Sequence, residues 1–163
     1  MRQLAYVATL CLAIAAFAVQ TAQAEPLSAA GRFKVQGEHA AAAGQRGLVA
    51  DGNGQVAAGS AGGFSTDAGG QGQRTRRFQR SADGSATASG HADASGPNGT
   101  ASRDGSYTRS ADGTASGERD TTVTSARTGV TWDGSTRYSQ GAGISRSLTC
   151  TDAAGQPVSC GRR

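Results

Sequence analysis

Short Ser/Thr/Ala segments, separated by Asp-Gly or Asn-Gly dipeptides, fill the second half of the chain and limit what it can fold into. R-S-A-D-G occurs at residues 80–84 and again at 109–113, with related dipeptides at 98–99, 104–105 and 133–134. Such dipeptides favour tight turns between antiparallel strands, and this half lacks the apolar spacing of an amphipathic helix. The pattern predicts an all-β fold, either an antiparallel hairpin meander or a small β-solenoid-like repeat.

Composition divides the chain after its N-terminal segment into two regions. Residues 74–163 form a Ser/Thr/Gly-rich β-repeat region, in which Val130–Tyr138 predicts a hairpin around an Asp133-Gly134 loop. Residues 25–73 are rich in Gly, Ala and Gln, and they predict a flexible, largely disordered arm. One hairpin is expected within this arm, with D-G-N-G at 51–54 as its turn.

The first 24 residues have the layout of a secretory signal peptide. Arg2 is followed by an apolar run from Leu4 to Val19, and Ala22-Gln23-Ala24 provides a cleavage site. This layout predicts export to the periplasm or the extracellular space, with no membrane span once the signal is removed. Lys34 is the only Lys among 16 basic residues, a bias typical of a GC-rich bacterial genome.

Cys150 and Cys160 are the two cysteines that remain once residues 1–24, which include Cys11, are removed. An even pair in an exported chain predicts a disulfide. Because turn-forming residues lie between the two cysteines, we expect a bridged C-terminal hairpin.

Large apolar residues are too scarce for a conventional enzyme core, and no motif selects a catalytic residue. His39 and His91 are isolated and do not have the paired spacing of a zinc site. We therefore expect no enzymatic activity, no cofactor and no catalytic or metal-ligating residue. The segment Asp51–Val56 resembles the middle of an EF-hand loop, but Val49 and Ser60 stand where acidic ligands belong.

The basic segment around Phe78 is the candidate contact surface. Its members are Arg74, Arg76, Arg77, Phe78 and Arg80. Arginines around an aromatic ring suit an anionic ligand, and export favours envelope polysaccharide over nucleic acid. Strands that are polar on both faces also pair readily with other chains, so self-association is a second possibility. The sequence favours an exported, non-enzymatic β-repeat protein with a structural or interaction role. The alternative is a secreted module that binds calcium or an acidic glycan.

Overall fold

The computed structural model describes residues 25–161, and these form nine β-strands with no helix among them. The strands are β1 Leu27–Gln36, β2 Ala40–Ala50, β3 Val56–Thr66, β4 Gln71–Arg80, β5 Ala86–Gly96, β6 Gly99–Arg109, β7 Ala115–Ser125, β8 Thr131–Ser139 and β9 Gly143–Thr151. The all-β prediction is confirmed. The signal peptide predicted for residues 1–24 lies outside the described residues.

All nine strands belong to one sheet, and each strand pairs antiparallel with the next in the chain. The order β1 to β9 is an open meander, which settles the choice between meander and solenoid in favour of the meander. No second layer packs against this sheet within residues 25–161. Only Cys150 is buried among the apolar side chains of this range, with 3% of its surface exposed.

The R-S-A-D-G repeats form the turns of two hairpins. Ser81 N–H donates to the Ser85 carbonyl at 2.9 Å, and Ser110 N–H donates to the Thr114 carbonyl at 2.9 Å. In each turn the glycine, Gly84 or Gly113, has a positive φ, whereas the preceding Asp does not. The turn is therefore a short loop that ends in a left-handed glycine, a common hairpin connection. Both repeats lie at the same end of the sheet, between β4 and β5 and between β6 and β7.

The flexible arm predicted for residues 25–73 is corrected by the structure, because β1, β2, β3 and the start of β4 lie in this range. Within this range, only the hairpin predicted with its turn at 51–54 is confirmed, since β2 ends at Ala50 and β3 begins at Val56. The glycines accommodate large neighbours on adjacent strands. A Cβ at Gly72 would lie 2.6 Å from Phe64 Cε1, so the Phe64 ring lies over the glycine backbone. This packing of a ring on a glycine compensates for the poor strand propensity of Gly.

The hairpin predicted around Asp133-Gly134 is also corrected. Both residues lie inside β8, and the turn that precedes β8 spans residues 126–130 instead. Asp133 lies opposite Thr122, whose hydroxyl donates to its carboxylate at 2.6 Å. Asp104-Gly105 likewise lies within β6. Strand pairing on both sides, with cross-strand hydrogen bonds, has overridden the local turn preference at these sites.

The predicted disulfide between Cys150 and Cys160 is present. The segment between them turns at Asp152–Gln156, and Val158 N–H then donates to the Cys150 carbonyl at 2.9 Å. A bridge between Thr151 and Pro157 completes the contact. The C-terminal segment is thus fastened against the end of β9.

Candidate ligand-binding face

The sheet has two chemically different faces. Side chains alternate between the faces along each strand, and directly paired residues share a face. The pairing can therefore be followed across the sheet, for example along Leu48, Ala58, Phe78, Ala88 and Tyr107. Each strand contributes every second residue to the face that carries Phe78, which we call the arginine face. The opposite side, which carries His91, is called the acidic face.

The strand residues of the arginine face carry only positive charge, whereas the acidic face carries both signs, because Arg32, Lys34, Arg77 and Arg137 also lie there. The arginine face carries Arg46, Arg74, Arg76, Arg80, Arg103, Arg109, Arg119 and Arg146. The five acids within the strands lie on the opposite face: Asp93, Asp104, Glu118, Asp120 and Asp133. The strand residues of the arginine face include no acid, so its guanidinium groups have no carboxylate on their own surface.

Nearly all large apolar strand residues also lie on the arginine face, where ten of them form two rows that cross the strands; Leu27, Phe33, Val56 and Leu148 lie outside these rows. The first row contains Leu48, Phe78, Tyr107, Tyr138 and Ile144, separated by Ala or Gly on most intervening strands. The second row contains Val35, Phe64, Val123, Trp132 and Cys150. The two rows are six residues apart along each strand, about 20 Å. Val49 is the one large apolar strand residue on the acidic face.

Six of the eight arginines lie between the two apolar rows, and Phe33 and Leu148 share this space with them. Arg46, Arg76, Arg119 and Arg146 share one cross-strand row, two residues along from the first apolar row. Arg74 and Arg103 lie in the next row, on strands two apart and therefore about 10 Å from each other. Arginines thus separate the two apolar rows.

A groove of about 780 Å³ runs over this surface from β1 to β7. Leu48, Phe78 and Tyr107 line one side of it, with Arg76 and Arg119 on the adjacent row. The Phe78 and Tyr107 side chains each remain 38% exposed, so their rings are accessible to a ligand.

The structure divides the predicted contact residues between the two faces. Arg74, Arg76, Phe78 and Arg80 lie together on the arginine face, whereas Arg77 lies on the acidic face. The sequence prediction did not include the arginines of β2, β6, β7 and β9. These arginines are separated from Arg74–Arg80 by turns, and only the strand register shows that they share its face.

The acidic face is rich in cross-strand hydrogen bonds between hydroxyl groups. Thr124 and Thr131 are joined at 2.9 Å, and Ser135 and Ser147 at 2.8 Å. These pairs stabilise neighbouring strands without an apolar surface. The acidic face therefore satisfies many of its own polar groups.

His91 is the most highly connected ionisable group of the acidic face. Its Nδ1 lies 2.7 Å from Asp104 Oδ1, and its Nε2 lies 3.1 Å from Asp93 Oδ1. The hydrogen bond to Asp104 is the largest cause that raises the pKa of His91, followed by the charge of Asp104. Both ring nitrogens donate in the protonated form. Asp104 is itself directly paired with a like charge, Asp120 on β7.

The turn acids are engaged within their own turns. Asp83 Oδ1 accepts from Ser85 N–H at 2.9 Å, and Asp112 Oδ1 accepts from Thr114 N–H at 2.9 Å. The hydrogen bonds from Ser85 hold the pKa of Asp83 below its ordinary value, and those from Thr114 do the same for the pKa of Asp112. In the EF-hand-like segment, Asp51 Oδ1 accepts from Asn53 and Gln55 N–H in the same way. Across residues 25–161, no group of three or more His, Cys, Asp or Glu is placed to hold a metal ion.

No protein-family model matches the chain, and no curated protein or solved structure is significantly similar to it. In the part of the chain that the structure describes, no helix has the length and apolar character needed to cross a membrane.

Proposed function

We propose that this chain is an exported, non-enzymatic protein of the periplasm or extracellular space, and that its arginine face binds an acidic polysaccharide. Its role is structural or interactive, as a component that holds or organises anionic glycans of the cell envelope. The observation that carries the proposal is the segregation of eight arginines and nearly all large apolar residues onto one face without a strand acid.

Acidic polysaccharides match both chemical components of this face. Their carboxylates pair with guanidinium groups, which present planar, bidentate donors. Their sugar rings have apolar C–H surfaces that stack on aromatic side chains. Phe78 and Arg76 are two residues apart on β4 and so offer a ring and a cation about 7 Å from each other. Arg46 and Arg119 extend the cationic row to β2 and β7, which suits a polymer better than a small ion.

The acidic face supports a non-enzymatic role. Thr75 lies directly across from His91, the arrangement in which a hydroxyl nucleophile and a base could meet. However, carboxylates already occupy both ring nitrogens of His91, so neither nitrogen is free to accept a proton from Thr75. The site is also open to solvent, since 46% of the His91 side chain is exposed. Electrostatic catalysis depends on a site that excludes water.

The experiment is a calorimetric titration of the purified, oxidised protein with a polyuronate and with neutral dextran as the control polymer. Binding to the polyuronate alone is expected, weakening as salt rises because surface charge pairs are screened. Exposed charge contacts contribute about 0.2–1 kcal/mol each. The double variant Arg74→Gln/Arg76→Gln is therefore expected to lower affinity roughly 2- to 30-fold.

Arg77→Gln provides the matched control, because Arg77 is on the same strand but on the acidic face. It removes one positive charge and leaves the arginine face intact. Equal losses from Arg76→Gln and Arg77→Gln would show that net charge alone attracts the polymer, and would contradict a binding face. Equal binding of polyuronate and dextran would also contradict the proposal. Calcium is titrated separately, and heat from calcium alone would favour the metal-binding alternative.

A further inference from the structure

The two edge strands of the sheet differ in how they are covered. The C-terminal segment covers the end of β9, through the Val158–Cys150 hydrogen bond, the Thr151–Pro157 bridge and the disulfide. On β1, no strand among residues 25–161 pairs with the outer edge. Uncovered edges present unpaired N–H and C=O groups that can pair with another chain.

The backbone groups on the outer edge of β1 can be identified from the first hairpin. Gly37 N–H donates to the Ala40 carbonyl at 2.8 Å, so residues 37 and 40 form a hydrogen-bonded pair. Such pairs alternate along an antiparallel ladder. The odd-numbered residues of β1 therefore bond to β2, and the even-numbered ones point outward: Ser28, Ala30, Arg32, Lys34 and Gln36.

We propose that this edge pairs antiparallel with β1 of a second copy, which gives a two-fold symmetric dimer with one continuous sheet. The strand is self-complementary in a particular register. In such a dimer, the even-numbered residues of one copy must lie opposite even-numbered residues of the other. Two registers meet this condition and pair nine of the ten residues of β1. One places Arg32 directly opposite itself, which is destabilising for like charges.

The other register places Gly31 opposite itself, and it is the one we infer. Arg32 then faces Ala30 of the second copy, and Lys34 faces Ser28. On the arginine face, Phe33 lies across from Ala29, which repeats the large–small pairing seen inside the sheet. A two-fold axis perpendicular to the sheet keeps the arginine faces of both copies on the same side.

The cap on β9 favours this symmetric pairing over a head-to-tail filament. The Cys150 carbonyl, which points away from β8, is already bonded to Val158. This leaves only Ile144, Arg146 and Leu148 with outward groups free on β9, against five such residues on β1. Association through β1 therefore closes at two copies, as an isologous interface does.

The test uses sedimentation of the processed, oxidised protein together with two single-residue variants. The native protein is expected to be a dimer at high micromolar concentration. Ala30→Pro removes an outward N–H without removing a β1–β2 hydrogen bond, and is expected to be monomeric. Ala30→Ser keeps the N–H and is expected to remain a dimer. Circular dichroism establishes that both variants retain the β-sheet.

Gly31→Cys tests the register independently of the proline variant. Residue 31 would lie opposite itself in a non-hydrogen-bonded pair, with Cα atoms about 4.5 Å apart, within disulfide reach. Ala29→Cys is the control, because its two copies would be about 13 Å apart. Mild oxidation is expected to cross-link Gly31→Cys and not Ala29→Cys. A monomeric native protein, or cross-linking of Ala29→Cys but not Gly31→Cys, would overturn the proposal.

Discussion

Replacement of Gly72 by Ala tests how a one-layer sheet is held together. A Cβ at this position would lie 2.6 Å from Phe64 Cε1 and 2.8 Å from the Asp93 carbonyl oxygen. Both separations are well inside the 3.4–4 Å of an ordinary Cβ contact. The Phe64 ring must leave the glycine, or β4 must move away from β5. Overpacking of this kind costs typically about 1–3 kcal/mol.

An opposing contribution comes from backbone entropy, because Ala in a strand is roughly 0.5–1 kcal/mol more favourable than Gly. We therefore expect Gly72→Ala to lower the free energy of unfolding by about 1 kcal/mol, and by about 2.5 kcal/mol at most. Gly59→Ala on β3 is the matched control. Its Cβ would meet only the Arg76 carbonyl, at 3.6 Å, which is ordinary contact. This variant is expected to be as stable as the native protein or more stable.

The measurement is urea unfolding, followed by circular dichroism and by the fluorescence of Trp132, the single tryptophan. The double variant Phe64→Ala/Gly72→Ala distinguishes the cost of the clash with the Phe64 ring from the cost of the clash with the Asp93 carbonyl oxygen. Because the ring clash is absent in this background, the cost of Gly72→Ala should fall there, with a coupling energy of about 0.5–3 kcal/mol. If Gly72→Ala and Gly59→Ala have the same stability, ring-on-glycine packing does not hold the sheet and the reasoning is refuted.

Three further variants test a turn, a charge cluster and the disulfide. Gly84→Ala should destabilise the protein by about 1–2 kcal/mol, since φ at Gly84 is 85° and no atom lies within 4 Å; unchanged urea unfolding would contradict this. His91→Asn should lower the melting temperature at about pH 5.5 but not near pH 9, because a raised pKa stabilises the fold only while His91 is protonated. A difference in melting temperature that does not change with pH would show that the charge of His91 does not stabilise the fold. Cys150→Ala/Cys160→Ala should lower the free energy of unfolding by about 2–3 kcal/mol. If this double variant is as stable as the native protein, the disulfide does not fasten the C-terminal segment.

The turns were the part of the fold that the sequence predicted best. Asp-Gly at 83–84 and 112–113, and D-G-N-G at 51–54, do connect strands, and the disulfide was predicted from the even pair of cysteines that remains once residues 1–24 are removed. Asp133-Gly134 was misassigned because the same dipeptide fits within a strand when its neighbours pair on both sides. Local turn chemistry cannot distinguish these cases without the register.

The strands of residues 25–73 were missed for a related reason. Gly and Ala carry little intrinsic preference for a strand, and the stabilising contact here is between strands. Phe64 and Gly72 are eight residues apart, and no periodicity in either strand reveals that one ring covers the other backbone. Only the pairing of β3 with β4 makes this visible.

The candidate site was recovered in part. The cluster at Arg74–Arg80 was recognisable because its arginines are close in sequence, but strand alternation removes Arg77 from it. Arg46, Arg103 and Arg119 are far from Arg74–Arg80 in sequence, and they join the same face through successive pairings of neighbouring strands. The segregation of charge is a property of the register, so it emerges only once all nine strands are aligned.

The register is therefore the central claim, and cross-strand nuclear Overhauser effects test it most directly. Non-hydrogen-bonded pairs bring Cα atoms to about 4.5 Å and their Hα atoms closer still. The structure predicts Hα–Hα cross-peaks for Arg32–Gln45, Arg74–Ala92 and Thr122–Asp133. These pairs sample the N-terminal strands, the basic strand and the middle of β8. Cross-peaks shifted by one residue would move the arginines to the opposite face, and would contradict the account.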